Sequence, residues 1–302
     1  MKDPYSIPTV AAIKSGLGVD KLPRFAGSMM FGTCCIFIND PDVLEDLYIK
    51  KNAAYTKHEI ERHFGTPLFT NNIVNMETDN PEYAPKRKIL SSAFFKNKVQ
   101  RMVTMVKETA LYQFTKLQEK GPKVEVNLAE YTQVVQAHII MNILCGKDQS
   151  TKELDYMGPG MKTERMELAI FVEKIFWDIF ERLEKNPLII MMPELFKYQI
   201  TEVDKRFFIN CESLRQFLKN MIIERKQKGL TEENAIDMIS ILTLDETYGK
   251  QIDDMVDDVL VMFIAGSKTI QVTTTNFITH MLHRPDLREK LDAELNPVLE
   301  KC

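Results

Sequence analysis

Apolar positions along this chain recur at three- and four-residue intervals, the period of an amphipathic helix. Val99, Val103, Val106, Ala110, Phe114 and Leu117 predict one helix, and Leu128, Tyr131, Val135, Ile139 and Ile143 a second that ends near Gly146. Leu168, Phe171, Ile175, Ile179 and Leu183 predict a third, closed by Asn186-Pro187. Leu214, Leu218 and Met221 belong to a fourth, closed by Gly229, and Ala235 to Leu244 gives a short fifth. A helix of a different kind covers Met255 to Gln271. Ile252, Val256, Val259 and Phe263 mark one face, and Met255 and Met262 carry apolar character onto another. A helix apolar on most sides is buried in a large fold or a membrane. Asp253, Asp254, Asp257, Asp258 and Lys268 interrupt the run too often for a span, which needs about 20 apolar residues. The reading is a core helix.

The N-terminal region patterns differently. Phe25 to Ile38 is β-prone and punctuated by glycine. Asp40-Pro41 predicts an N-cap with proline at the first helical position, opening a short helix to about Lys51. Residues 52–80 are irregular. At the other end His283-Arg-Pro-Asp286 interrupts the pattern, and Leu287 to Glu300 reads as a last helix. Ala265-Gly266 strips side chains from one face of the core helix. Thr269, four residues on from Ala265, is placed to bond the Ala265 carbonyl, a bond that tends to bend a helix. A flat cofactor beside a bare patch and a hydroxyl is one use of such a surface; a helix–helix contact is the other.

Three segments, in this order, resemble the cytochrome P-450 family of haem-thiolate monooxygenases. Ile38 to Leu47 is similar to the strand-to-helix passage near that family's N-terminal sheet. Asn80 to Phe95 is similar to its C helix, W-x-x-x-R-K followed by an alanine–phenylalanine pair. Phe263-Ile-Ala-Gly-Ser-Lys-Thr269, with His283 to Leu291, is similar to its oxygen-binding helix and the helix after it. The resemblance implies a mostly α fold with a small N-terminal β element, in a single domain over residues 1–302 that is incomplete at its C-terminus.

It also implies site residues. Arg87 matches the arginine that pairs with a haem propionate, a role that suits a guanidinium fork, and Tyr83 stands where the family has tryptophan. Pro85 departs from the pattern and predicts a helix start near itself, with Tyr83 outside. Ala265 and Gly266 would flank the haem. Thr269 matches the threonine that relays protons to bound oxygen. Lys268 stands where an acid is usual, and Ile270 where a small hydroxyl residue is usual. The implied activity inserts one oxygen atom from dioxygen into an apolar small molecule, with electrons from a reductase or ferredoxin. Lys86, Arg87 and Lys88 read as a solvated basic face that docks the electron donor, extended by Lys96, Lys98 and Arg101. Apolar substrate walls are expected in residues 52–80 and in the helix pair around Phe171–Phe217.

The family's later E-x-x-R pair and its glycine–cysteine loop are not found. Glu59-Ile-Glu-Arg62 and Glu212-Ser-Leu-Arg215 precede the core helix, and no glycine follows Gly266. None of Cys34, Cys35, Cys145, Cys211 and Cys302 sits in a loop suited to an axial thiolate, so no metal ligand is assigned and this polypeptide alone is expected to be inactive. The alternative is a non-catalytic helical relic that binds an apolar ligand.

Composition narrows the rest. The chain has 302 residues, 44% hydrophobic and 27% charged, with net charge -4. That balance gives no reason to expect nucleic-acid binding. Five irregularly spaced cysteines argue against a secreted disulfide framework. The N-terminus shows no signal peptide. An intracellular protein is expected, at the cytosolic face of the endoplasmic reticulum where an anchor precedes it. Membrane contact is expected only through a segment outside this chain. His58 and His63 are five apart, not the four a zinc-protease helix needs. His280 and His283 read as a solvated pair at a helix end.

Overall fold

The computed structural model describes residues 24–30, 33–51, 54, 55, 57, 63, 65–147, 149–186, 188–246, 248 and 251–300. Two antiparallel strands, β1 (Phe25–Met30) and β2 (Thr33–Ile38), pair from Phe25 with Ile38 to Met30 with Thr33. Helix α1 (Pro41–Glu45) follows, with Asp40 as N-cap accepting from the amides of Asp42 and Val43, as the sequence predicts. It runs on as a wider π turn to Lys50.

Most of the molecule is helical. Helices α2 (Tyr83–Ser92), α3 (Lys96–Gln118) and α4 (Leu128–Cys145) come first. Helix α5 (Leu168–Lys185), the single turn α6 (Leu188–Met191) and α7 (Glu202–Gln227) follow. Helices α8 (Met238–Leu244), α9 (Ile252–His283) and α10 (Pro285–Leu299) complete the fold. Their starts follow side-chain chemistry. Asn127 caps α4, Thr201 and Asp204 form a capping box at α7, and Asp237 caps α8. Each such cap satisfies amides that the first turn leaves unpaired.

A second hairpin was not predicted. Strands β3 (Glu153–Gly158) and β4 (Lys162–Glu167) pair across Gly158-Pro-Gly-Met161, where Gly160 has φ 66°. Leu154 and Tyr156 point inward, and Asn210 of α7 bonds both the amide and the carbonyl of Met157 at 2.7 and 3.0 Å. The hairpin is thus fastened to the helical body.

One apolar cluster runs from Leu68 through α4, α5 and α7 to Phe263. Phe171, Ile175 and Ile179 of α5, with Phe207, Leu214 and Ile222 of α7, are wholly enclosed. Burying each such side chain stabilises the fold by about 1.5–3 kcal/mol. Arg182 is also fully buried. It donates to Asp204 at 2.7 Å and to the carbonyls of Thr66 and Phe196 at 2.8 Å each, so its charge is paired and each of its three nitrogens has an acceptor.

Candidate functional site

Helix α9 lies against α4, α7 and α8. It continues to His283, beyond the predicted Gln271, and its two ends differ. The N-terminal half, from Met255 to Phe263, is almost entirely buried, including Asp257 and Asp258. These acids hold the preceding chain. Asp257 accepts from the amides of Thr70 and Asn71 at 2.9 and 2.6 Å and from the Thr70 hydroxyl at 3.2 Å. Arg215 of α7 pairs with the same carboxylate. Asp258 accepts from the Ile73 amide at 2.6 Å, from the Tyr248 hydroxyl, and from Lys86 at 3.1 Å. Burial raises the Asp258 pKa above the ordinary carboxylate value, and Lys86 opposes that rise. Asp254 accepts from the Asn71 side chain at 2.9 Å. Acids that interrupt the apolar pattern therefore clamp residues 70–73 to the helix.

Lys86 belongs to this clamp. The sequence places it on a solvated basic face, but it is only 4% exposed and also donates to the Asn71 carbonyl at 2.7 Å. Lysine at this point of α2 exchanges water for two carboxylates and a carbonyl. Arg87 and Lys88 remain exposed.

Arg87 Nη1 donates to the Tyr83 hydroxyl at 2.8 Å, and its guanidinium lies 5.9 Å from that ring's centroid. Among the described residues it has no carboxylate partner, which leaves most of its donors available. Helix α2 starts at Tyr83, not Pro85. Proline in the first turn costs little because that amide has no helical partner. One turn of helix thereby brings Tyr83 and Arg87 together.

On the C-terminal half of α9, Ala265 and Thr269 are exposed. The Thr269 hydroxyl donates to the Ala265 carbonyl at 2.6 Å, the predicted bond. Gly266 faces elsewhere: a Cβ there would lie 2.8 Å from the end of Ile140 on α4, so its bare side serves a helix–helix approach. Ser267 is buried and donates to Glu173 of α5, whose other oxygen accepts from Gln133 at 3.1 Å. Burial raises the Glu173 pKa, with Ser267 and Lys268 pulling it back. The Lys268 ammonium lies 5.0 Å from the Trp177 ring centroid and 3.5 Å from Gln133 Oε1. Its charge is thus committed to α4 and α5.

The structure therefore assembles two pairs, Tyr83 with Arg87 and Ala265 with Thr269. Their helices are joined through Lys86 and Asp258. Sequence reasoning missed Lys86, Glu173 and Ser267 as parts of this region. Of the predicted substrate walls, Phe171 and Phe207 fill the core, whereas Trp177 and Phe180 are exposed and pack with Phe176 at ring separations of 5.1–6.0 Å.

Among the described residues the thiols offer no obvious ligand. Cys145 and Cys211 are buried, and burial pushes the Cys145 pKa up to about 12 and that of Cys211 up as well. Cys302, Glu59 and His58 lie outside the described residues. Among the described residues no three His, Cys, Asp or Glu side chains form a metal-holding group, and no helix is long and apolar enough to cross a membrane. His280 and His283 are exposed at the end of α9.

A long helix, buried in its first half, turns a threonine-bearing surface outward and is joined to a helix whose arginine has no carboxylate partner among the described residues. The cytochrome P450 family profile matches residues 23–301, and the chain belongs to that family. It is similar to probable cytochrome P450 519E1 of Dictyostelium discoideum, 24% identical over 87% of this chain and 50% of that protein. It is similar to cytochrome P450 6a8 of Drosophila melanogaster, 23% identical over 92% of this chain and 54% of that one. Among solved structures, zebra fish cytochrome P450 with progesterone superposes with TM-score 0.70 at 16% identity, over 98% of this chain and 64% of that chain. Retinoic acid bound cyanobacterial CYP120A1 gives 0.68 at 17% identity, over 98% and 60%. The chain spans about half the length of the curated relatives it matches.

Proposed function

We propose that this chain serves a haem-dependent monooxygenase that inserts one oxygen atom from dioxygen into an apolar small molecule. A reductase or ferredoxin inside the cell would supply the electrons. The observation that carries this reading is the outward pairing of Thr269 with Ala265 on a helix whose other half is buried.

The residues fit a haem. Arg87, with no carboxylate of its own among the described residues, suits a propionate in a bidentate fork. Tyr83 orients that guanidinium and has a hydroxyl to donate in turn. Ala265 leaves room beside the helix for a flat ring, and Gly266 lets α9 settle against α4 so that the patch keeps its position. The haem, when bound, supplies dioxygen activation. Thr269 would hold a proton at its Oγ1, presently given to the Ala265 carbonyl, and pass it to a neighbouring water or oxygen. Lys268, committed to Gln133 and Trp177, does not place its charge in that relay. Trp177 and Phe180, with Phe176, suit an apolar ligand.

The test is haem affinity. Losing a charge-assisted hydrogen bond costs about 1.5–3 kcal/mol, so Arg87→Leu is expected to weaken haem binding roughly 10- to 100-fold. Where a thiolate-bearing segment completes the haem site, Thr269→Ala is expected to consume electrons without a matching yield of product. Equal haem affinity with and without Arg87 would overturn the reading. No feature of the fold favours the alternative of a non-catalytic relic.

A further inference from the structure

Helix α2 carries Tyr83 and Arg87 but is held to the body of the molecule at few points. Its buried residues are Lys86 and Leu90 alone, and Ile89 packs at the edge of the core. Arg87 and Lys88 are exposed. With so little apolar contact, the polar contacts of Lys86 decide how this helix is turned about its own axis.

Those contacts come from two elements. The Lys86 ammonium lies 3.1 Å from Asp258 and 3.5 Å from Asp254, which are four residues apart and share one face of α9. It also donates to the Asn71 carbonyl at 2.7 Å. Tyr248 closes the group, with its ring centroid 5.8 Å from the ammonium and its hydroxyl donated to Asp258. Lys86 and Asp258 are both buried. Separating a buried charge from its partner is strongly unfavourable, whereas an exposed pair opens at little cost. The attachment of α2 at Lys86 is therefore stiff.

Lys86 and Arg87 are consecutive on one helix, about 100° apart around its axis. Fixing the direction of the first fixes that of the second. The bond from Arg87 to the Tyr83 hydroxyl lies within α2 and travels with it, so it cannot set where the pair stands. Turning the helix by about 10° would carry a group about 6 Å from its axis through about 1 Å. An error of about 1 Å in placing a group costs as much as roughly 100-fold in rate. We propose that Lys86 is a positioning residue: through Asp254 and Asp258 it sets the rotation of α2, and so the point at which the Arg87 fork meets a carboxylate. That the carboxylate is a haem propionate rests on the function proposed above.

Haem titration, followed by absorbance, tests this in four forms of the full chain: unaltered, Arg87→Leu, Lys86→Met with Asp258→Leu, and all three changes together. The apolar pair removes both charges at once, so neither is stranded in the interior, and circular dichroism checks that each form folds. Replacing the pair is expected to weaken haem binding roughly three- to tenfold, as when one bond of a fork is lost. In the Arg87→Leu background the same replacement is expected to change nothing, because the group that Lys86 positions is gone. Asp254→Asn keeps the Asp258 contact and decides the matter where the pair replacement does not fold. It is expected to weaken haem binding roughly twofold, again only with Arg87 present. Equal losses with and without Arg87 would make Lys86 a purely structural residue and overturn the proposal, as would unchanged affinity after the pair replacement in a folded protein. An Arg87→Leu form that binds haem as tightly as the unaltered chain would overturn the haem reading itself, and the proposal with it.

Discussion

The two halves of α9 share one backbone and meet opposite surroundings. From Met255 to Phe263 the helix is enclosed, and even its aspartates are paired. From Ala265 onward it turns threonines outward, with Thr269, Thr273 and Thr279 each bonding the carbonyl four residues back. The first half fixes the position of the helix. The second can then present a surface without having to supply its own stability. Ser267 and Glu173 mark the seam, where a buried polar contact to α5 separates the two regimes.

If that division is right, damage on the first half is expected to be severe. Asp258→Ala leaves Lys86 buried without its nearest carboxylate, a kind of change that costs about 3–5 kcal/mol. Urea unfolding measures it. Replacing both partners with apolar side chains of similar length, Lys86→Met together with Asp258→Leu, is expected to restore most of the loss. A single-variant cost below about 1 kcal/mol would break the comparison.

A change at the seam is expected to act through pH. The native Glu173 carboxyl titrates above its ordinary 4.5, so the folded protein holds that proton more tightly than the unfolded chain. Its contribution is therefore full below 4.5 and is lost as pH rises through the raised value. Glu173→Gln, which cannot ionise, is expected to lack that decline. Asp178, pushed up to about 6 by burial, declines with the same sign, so the quantity to follow is the difference between variant and wild type. A difference that stays constant from about pH 4 to 8 would remove Glu173 from the seam.

Smaller effects are expected further along. Gly266→Ala gains about 1 kcal/mol of helix propensity and presses on the flexible end of Ile140 at 2.8 Å. The net change in thermal unfolding is expected to lie within about 1 kcal/mol, and adding Ile140→Val is expected to make it favourable. Thr269→Val is expected to change stability by less than about 0.5 kcal/mol, because the residue is exposed. A large loss there would place Thr269 with the first half.

The helices were legible because their signals are local. Asp40, Asn127 and Asp237 cap where a capping residue precedes an apolar run, and the Thr269 bond spans four residues. The β3–β4 hairpin had a local signal too, Leu154 and Tyr156 alternating before Gly158-Pro-Gly160, but its strands are short and one is polar. Pro85 misled because proline is a breaker only inside a helix, and it occupies the first turn. The aspartate clamp could not be read at all. Asp257 and Thr70 are 187 positions apart, and nothing in Asp-Asp says whether the partner is water or a backbone amide. Lys86 was misread for the same reason. Arg87 and Tyr83 were named through the resemblance, but their pairing was not foreseen, because Pro85 had placed Tyr83 outside the helix that holds both.

That separation of 187 residues also sets a clock. A ribosome adds roughly 5–20 residues each second, so about 10–40 s pass between the synthesis of Thr70 and that of Asp257. During that interval the amides of Thr70, Asn71 and Ile73 have only water or transient partners, while α3, α4 and α5 have already been made. The segment that α9 clamps is made well before the helix that secures it, and a nascent chain stalled before Asp254 is expected to be most open to proteases there.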